Sequence, residues 1–352
     1  MTNSSQTRDA LRRTFLSEAG FGDSRLVPIP QDASFRRYFR LVDGEHGWLL
    51  MDAPPQTESL DAWLAIGRHL ADLGLRAPAV LRSDAANGFA LIEDFGDQTF
   101  TRLLDAGEAP EALYSQATDL LVHLHRQPNV FLDALKPYDL DALIDEAILL
   151  PDWFLPLASG KPVVSEDHHR YQEIWEQVFA SLPTPAISLV LRDFHVDNLM
   201  RLPGDAPLQR IGLLDFQDAL IGPMAYDLMS LLEDARRDLP SPVAEQMKQR
   251  YFEAMPLLEM ENFTIWYRVL AAQRHCKVAG IFSRLALRDD KPHYLTHIPR
   301  VLGLLQVHLD EPLLRPLADW LRAHGIIGNA PEIPADYQSV RRALGLADGT
   351  TD

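Results

Sequence analysis

The stretch Leu191-Arg192-Asp193-Phe194-His195-Val196-Asp197-Asn198, answered downstream by Leu213-Leu214-Asp215-Phe216-Gln217, constrains this chain more than any other. Each polar cluster follows a short apolar run, Ile187-Ser188-Leu189-Val190-Leu191 in one case and Ile211-Gly212-Leu213-Leu214 in the other. Runs of that length bounded by turn formers read as buried strands. Pro203-Gly204-Asp205-Ala206-Pro207 supplies a turn between them. The expectation is one hairpin whose two strands carry Asp193 and Asp215 to the same end, with Asn198 on the connecting loop.

Two carboxylates held close together repel unless a cation lies between them. Asp and Asn oxygens are hard donors, which suits Mg²⁺. Phosphoryl transfer asks for this set: Asp193 accepts the proton of an attacking hydroxyl, while Asn198 and Asp215 hold Mg²⁺ against a triphosphate. Taken singly, each Asp reads as a turn cap; as an ordered set beside paired strands they read as catalytic. His195 either touches phosphate or is a satisfied structural histidine. Asp197, directly before Asn198, reads as a hydrogen-bond acceptor that stabilises the loop. Asp227, in Gly222-Pro223-Met224-Ala225-Tyr226-Asp227-Leu228, begins a helix, either as an N-terminal cap or as a buried brace for the catalytic loop, and the brace is the expectation.

The chain has 352 residues, 47% of them hydrophobic, enough for one large core or two lobes. It contains no apolar run of the roughly 18 residues that a membrane helix needs, and its polar N-terminus lacks a signal-peptide core. Cys276 is the single cysteine, so no internal disulfide and no multi-cysteine metal site is available, and cytoplasmic residence is the default. His123 and His125 stand two apart and cannot form the i, i+4 pair of a helical zinc site. A formal net charge of −17 argues against nucleic acid as a partner and gives no support to an anionic membrane surface.

Along the chain, residues 26–54 read as strands, 59–73 as an amphipathic helix stopped by Gly74, and 80–81 and 89–92 as two further strands. That makes residues 1–97 a small N-terminal α+β lobe for nucleotide binding. Residues 98–335 read as a larger, mostly helical catalytic and acceptor-binding lobe, with helices near 109–126, 139–150, 166–181, 225–237, 241–254, 262–284 and 295–323 around the catalytic hairpin. Residues 336–352 read as a loosely held polar tail. The expected fold class is α+β, two-lobed and protein-kinase-like.

These residues resemble the aminoglycoside phosphotransferase family, whose fold is protein-kinase-like. The family pattern is His-Gly-Asp, a variable stretch and Asn, then a strand ending in Asp, then Tyr-Asp in a helix. Asp193, Asn198, Asp215, Tyr226 and Asp227 match it, whereas Leu191-Arg192 stands where His-Gly is expected. Asp32-Ala33-Ser34-Phe35-Arg36-Arg37-Tyr38, Ile92-Glu93-Asp94-Phe95-Gly96-Asp97 and Asp215-Phe216-Gln217-Asp218 are similar to the subgroup of bacterial anomeric kinases acting on N-acetylmuramate and N-acetylglucosamine in cell-wall recycling. The resemblance covers about residues 10–325. It implies an ATP- and Mg²⁺-dependent enzyme that phosphorylates a sugar hydroxyl. Within the same class stand aminoglycoside and choline-type O-phosphotransferases, and outside it a nucleotide-binding regulatory pseudokinase.

Two departures matter. No Gly-rich loop precedes the second strand, and the strand position for a phosphate-binding Lys reads Leu50-Met51-Asp52. Arg36 and Arg37 are the candidate replacements, with Ser34 offering a hydroxyl and N–H to phosphate; Glu58 is a poor helix carboxylate because its usual lysine is missing. Glu93 and Phe95 fall at the expected hinge, where a backbone carbonyl and N–H read an adenine edge. For the acceptor, Glu146 and Trp153 offer a carboxylate for hydroxyls and a ring for a sugar face.

Overall fold

The computed structural model describes residues 2–30, 36–42, 47–133, 135–328 and 337–346, with side chains from residue 7 onward. In chain order the elements begin α1 (Thr2–Glu18), β1 (Leu26–Pro28), β2 (Arg37–Leu41), β3 (Trp48–Asp52), α2 (Leu60–Asp72), β4 (Val80–Asp84), β5 (Phe89–Glu93), α3 (Phe100–Asp105) and α4 (Pro110–His125). Next come α5 (Leu140–Ala147), α6 (Leu155–Ser159), α7 (Ser165–Ala180), β6 (Ile187–Val190), β7 (Leu199–Arg201), β8 (Ile211–Leu213), β9 (Leu220–Pro223) and α8 (Ala225–Leu232). The chain ends with α9 (Ser241–Ala254), α10 (Met260–Leu287), α11 (Ile298–His308), α12 (Arg315–Ala323) and α13 (Tyr337–Ala343). By contacts it divides into two compact units, Met1–Leu132 with Leu191–Ala219, and Asp133–Val190 with Leu220–Asp352. This partition differs from one at residue 97, because 98–132 and the 191–219 stretch belong with the N-terminal strands.

In the first unit, β1-β2-β3-β5-β4 form an antiparallel sheet. Strand periodicity of two sends alternate side chains to opposite faces. Leu50, Phe89 and Leu91 pack with Phe15 and Leu16 of α1 on one face. Asp52 lies on the same strand and is fully buried. Arg8 of α1 neutralises it, Nε at 2.9 Å and Nη2 at 2.6 Å from Oδ1, while its guanidinium carbon lies 4.1 Å from the centre of the Phe89 ring. That helix was not evident from the sequence pattern. Helix α2 is capped by the Ser59 hydroxyl, which accepts from the Ala62 N–H, and it buries Trp63 against Phe216, ring centres 5.3 Å apart.

In the second unit, the 28-residue α10 is buried along most of its length and packs with α5, α8 and α11. A Cβ on Gly280 would lie 2.2 Å from the Leu149 carbonyl oxygen, so only glycine admits this approach.

Several expected elements take a different form. The run at 187–191 does not pair with 211–214: β6 pairs with β9, and β8 pairs with β7. The hairpin is therefore Leu199–Arg201 with Ile211–Leu213, and Leu220-Ile221 is the apolar run that completes β6. The helix expected over 295–323 is two helices, interrupted before Pro312, whose missing N–H cannot continue the ladder. Helix α8 stops at Leu232 rather than 237. Asp227 is fully buried inside α8, beyond the N-cap position at Met224. The tail is not loose throughout, since Val340 of α13 is buried with Leu157 and Leu287. Among the described residues, no helix is long and apolar enough to cross a membrane.

Candidate active site

Asp193, Asn198 and Asp215 all lie in the first unit, on the two segments that flank β7 and β8. The Asn198 side-chain N–H donates to the Asp193 carbonyl oxygen at 2.9 Å, and the Leu214 N–H donates to the Asn198 carbonyl at 3.0 Å. One backbone mesh thus ties the 193–198 loop to the strand that delivers Asp215. Because its nitrogen faces Asp193, Asn198 presents its amide oxygen elsewhere. Asn198 and Asp215 line the same cavity, of about 360 Å³.

Both segments carry backbone strain. Arg192 has φ 68° and Asp215 has φ 57°. Left-handed backbone costs an L residue of order 1–2 kcal/mol and collects at functional sites. Arg192 occupies the place where the family pattern has glycine, so glycine's conformation is kept although its residue is not.

The cavity is apolar over most of its wall, where Leu49, Ile92, Met200 and Leu214 line it. The segment from Glu93 to Asp97 forms one edge. Phe95 sits on β8 because Gly212 lacks a side chain: a Cβ there would lie 2.5 Å from the Phe95 ring. Among the described residues, nothing hydrogen-bonds the Phe95 N–H. The Glu93 carboxylate is taken up by Arg76 at 2.6 Å and by the Ala79 N–H at 3.2 Å, so any contact it makes in the cavity falls to its backbone.

Tyr38 and Arg40 of β2 line the cavity, and Arg36 directly precedes that strand two residues before Tyr38. Arg36 is buried, and its Nη2 lies 3.0 Å from Asp215 Oδ1. Its Nε lies 3.6 Å from Glu58, and its Nη1 donates to the Gln217 side-chain oxygen. Burial pulls the Arg36 pKa down, and the surrounding Tyr38, Asp215 and Glu58 more than offset that, leaving it raised. Glu58 therefore does have a cation partner, the arginine just before β2 in place of a β3 lysine. Arg37 is exposed, with its side chain on the outer face. Ser34 lies outside the described residues. Arg40 pairs with Asp94 and with Asp97 at 3.1 Å, which pins the 94–97 edge; sequence reasoning missed this pair, although the alternation of 36, 38 and 40 carries the signal.

His195 is buried, its Nε2 3.3 Å from the Asn198 amide nitrogen. Asp197 accepts a hydrogen bond from the hydroxyl of Thr101 in α3.

The acceptor candidates lie in the second unit and are not brought together. Glu146 accepts from Tyr138, from Lys277 at 2.8 Å and from Gln273 at 3.3 Å, within a half-buried network. Trp153 packs instead near Val340, Leu344 and Leu346 of the tail. Cys276 is fully buried, and burial pushes its thiol up to about 12, so it is inert. The second unit also holds a group absent from any sequence motif, with Glu233 Oε2 at 2.8 Å from Nε2 of both His275 and His308. Its three members come from separate helices or their ends.

The profile of the phosphotransferase enzyme family matches residues 25–260. A protein of Caulobacter vibrioides called N-acetylmuramate/N-acetylglucosamine kinase is 34% identical, over 91% of this chain and 97% of its own length. Its namesake in Pseudomonas aeruginosa is 36% identical over 84% of this chain and 88% of its own. The chain belongs to the phosphotransferase enzyme family. Among solved structures, the gentamicin–APH(2")-IIa complex aligns with TM-score 0.59 at 15% identity, covering 84% of this chain and 98% of that one. The streptomycin–ATP ternary complex of APH(2")-IIa aligns with TM-score 0.51 at 16% identity, covering 72% and 84%. The fold is accordingly the expected kinase-like α+β class, with an antiparallel N-terminal sheet and a mostly helical remainder.

Proposed function

We propose that this phosphotransferase moves the γ-phosphate of ATP to the anomeric hydroxyl of N-acetylmuramate or N-acetylglucosamine, giving a sugar 1-phosphate and ADP. The observation that carries the reading is that Asn198 bonds to the Asp193 carbonyl and to the Leu214 N–H, while Asn198 and Asp215 line one largely apolar cavity. The names and full-length similarity of the bacterial relatives support the acceptor.

The adenine ring enters the apolar cavity, with the Glu93 carbonyl and Phe95 N–H reading its edge. Asn198 and Asp215 offer two hard oxygen donors, which fits Mg²⁺. Bound there, Mg²⁺ supplies charge neutralisation to the β- and γ-phosphates. Asp193 orients the acceptor and takes its proton as the sugar oxygen bonds to the γ-phosphorus and the bridging oxygen leaves with ADP. An anomeric hydroxyl is more acidic than an ordinary alcohol, so a carboxylate suffices as the base. Asp197 holds the loop and His195 packs beneath it. Arg36, buried beside Asp215, is the cation that meets the phosphates. Glu146 and Trp153 carry no part of this proposal.

The test is a ³¹P NMR screen of ATP and Mg²⁺ with amino sugars, aminoglycosides and choline. A new sugar 1-phosphate resonance, lost in Asp193→Ala with ADP binding retained, is the expected result. Turnover of a cationic acceptor alone rejects the sugar assignment.

A further inference from the structure

We infer that Arg36 is an internal counter-ion to the carboxylate of Asp215, so that this protein takes up its divalent ion together with nucleotide phosphate and resists taking it up alone. The inference rests on the proposed role of Asp215 as a metal ligand.

Asp215 Oδ1 is already engaged from two sides, by Arg36 Nη2 at 3.0 Å and by the Gln217 amide nitrogen at 3.2 Å. Arg36 is buried as a residue, at 7% exposure, so little water reaches this contact from its side. A cation approaching Asp215 meets a like charge hydrogen-bonded to the atom it needs, and that repulsion opposes binding. Nucleotide phosphate changes the balance. A planar guanidinium binds phosphate in a forked geometry at least as well as it binds carboxylate.

Glu58 gives the exchange its tether. It stands one residue before the Ser59 cap of α2 and 3.6 Å from Arg36 Nε, a different nitrogen from the Nη2 that meets Asp215. Arg36 can pass from Asp215 to phosphate while keeping this second contact. Release of Asp215 by phosphate and occupation of Asp215 by metal then favour one another, and by linkage each ligand strengthens the other by the same factor. In a kinase with a β3 lysine the phosphate-binding cation and the metal-binding carboxylate are separate parts; here one arginine couples them.

The experiment uses the full-length protein with Mn²⁺ as an EPR-visible probe, titrated with and without ADP. Wild type is expected to bind Mn²⁺ weakly alone and more tightly with ADP. Arg36→Gln is expected to bind Mn²⁺ alone roughly tenfold more tightly than wild type, about 1.4 kcal/mol, with the ADP-linked gain smaller by the same factor. Adding Asp215→Asn removes the gain, which locates it. A folded Arg36→Gln protein whose metal affinity equals or falls below wild type overturns the inference. Should that variant misfold, Arg36→Met, which also removes the charge, is expected to show the same gain, and an affinity equal to or below wild type overturns the inference equally. Sugar turnover by wild type is read in parallel: its absence beside an intact Mn²⁺ contrast rejects the acceptor assignment and still supports the counter-ion.

Discussion

Arg8→Met tests whether α1 is held to the sheet by charge or merely by apolar contact. Asp52 is 0% exposed, and Arg8 gives it two hydrogen bonds at 2.9 and 2.6 Å while also donating to the Asn87 carbonyl. Methionine keeps most of the stem that lies over Phe89 and removes the charge. Breaking one side of a buried ion pair costs about 3–5 kcal/mol, because the other charge stays in a low-dielectric site. Arg12, whose Nη1 lies 3.8 Å from Asp52 Oδ2, offers partial replacement and places the loss near the lower end, about 3 kcal/mol. At roughly 2–4 °C per kcal/mol, the melting temperature should fall by about 6–12 °C in a calorimetric scan. The double variant Arg8→Met/Asp52→Leu removes both charges and should recover most of that loss. The reasoning is refuted by a single variant that loses less than about 1 kcal/mol, or by a double variant no more stable than the single one.

Gly212→Ala should displace the Phe95 ring, cost about 1–3 kcal/mol and weaken ADP binding in titration calorimetry; an unchanged ADP affinity would remove Phe95 from the nucleotide site. Burial depresses His125 from 6.5 to about 3, so the folded protein refuses a proton that the unfolded chain takes up below pH 6.5. The stability is fully present above that pH and is lost as pH falls, by about 2 kcal/mol at pH 5 from His125 alone. Burial lowers His275 as well and adds to the loss. Urea midpoints at neutral and acid pH should show this drop, and His125→Phe should flatten it; an equal drop in the variant counts against the assignment. Arg192→Gly, at φ 68°, should raise stability by about 0.5–1 kcal/mol with turnover intact, and a loss of stability would show that the arginine's contacts outweigh its strain.

Much of the catalytic segment was legible because its information is local. Asp193 and Asn198 are five residues apart, and the intervening loop brings the Asn198 amide back to the Asp193 carbonyl with no help from distant chain. Alternation along β2 and β3, the Ser59 cap and the stop at Gly74 are equally local. Strand partners are not. An apolar run announces a buried strand, but β6 could satisfy its edge with any strand of matching length, and β9 rather than β8 does so. The tail reads as polar, yet Val340, with Tyr337, Leu344 and Leu346 beside it, docks α13.

Sequence alone thus determined the family of chemistry: which side chains can accept a proton, which can hold a hard cation, and that strands deliver them. Tertiary structure decided which charges answer one another. Arg36 meets Asp215 across 179 residues, Arg8 meets Asp52 across 44, and Glu233 gathers two histidines from different helices. Chain connectivity limits the geometry of near neighbours strongly and of distant residues hardly at all, so a counter-ion drawn from far along the chain becomes visible only once the core has packed.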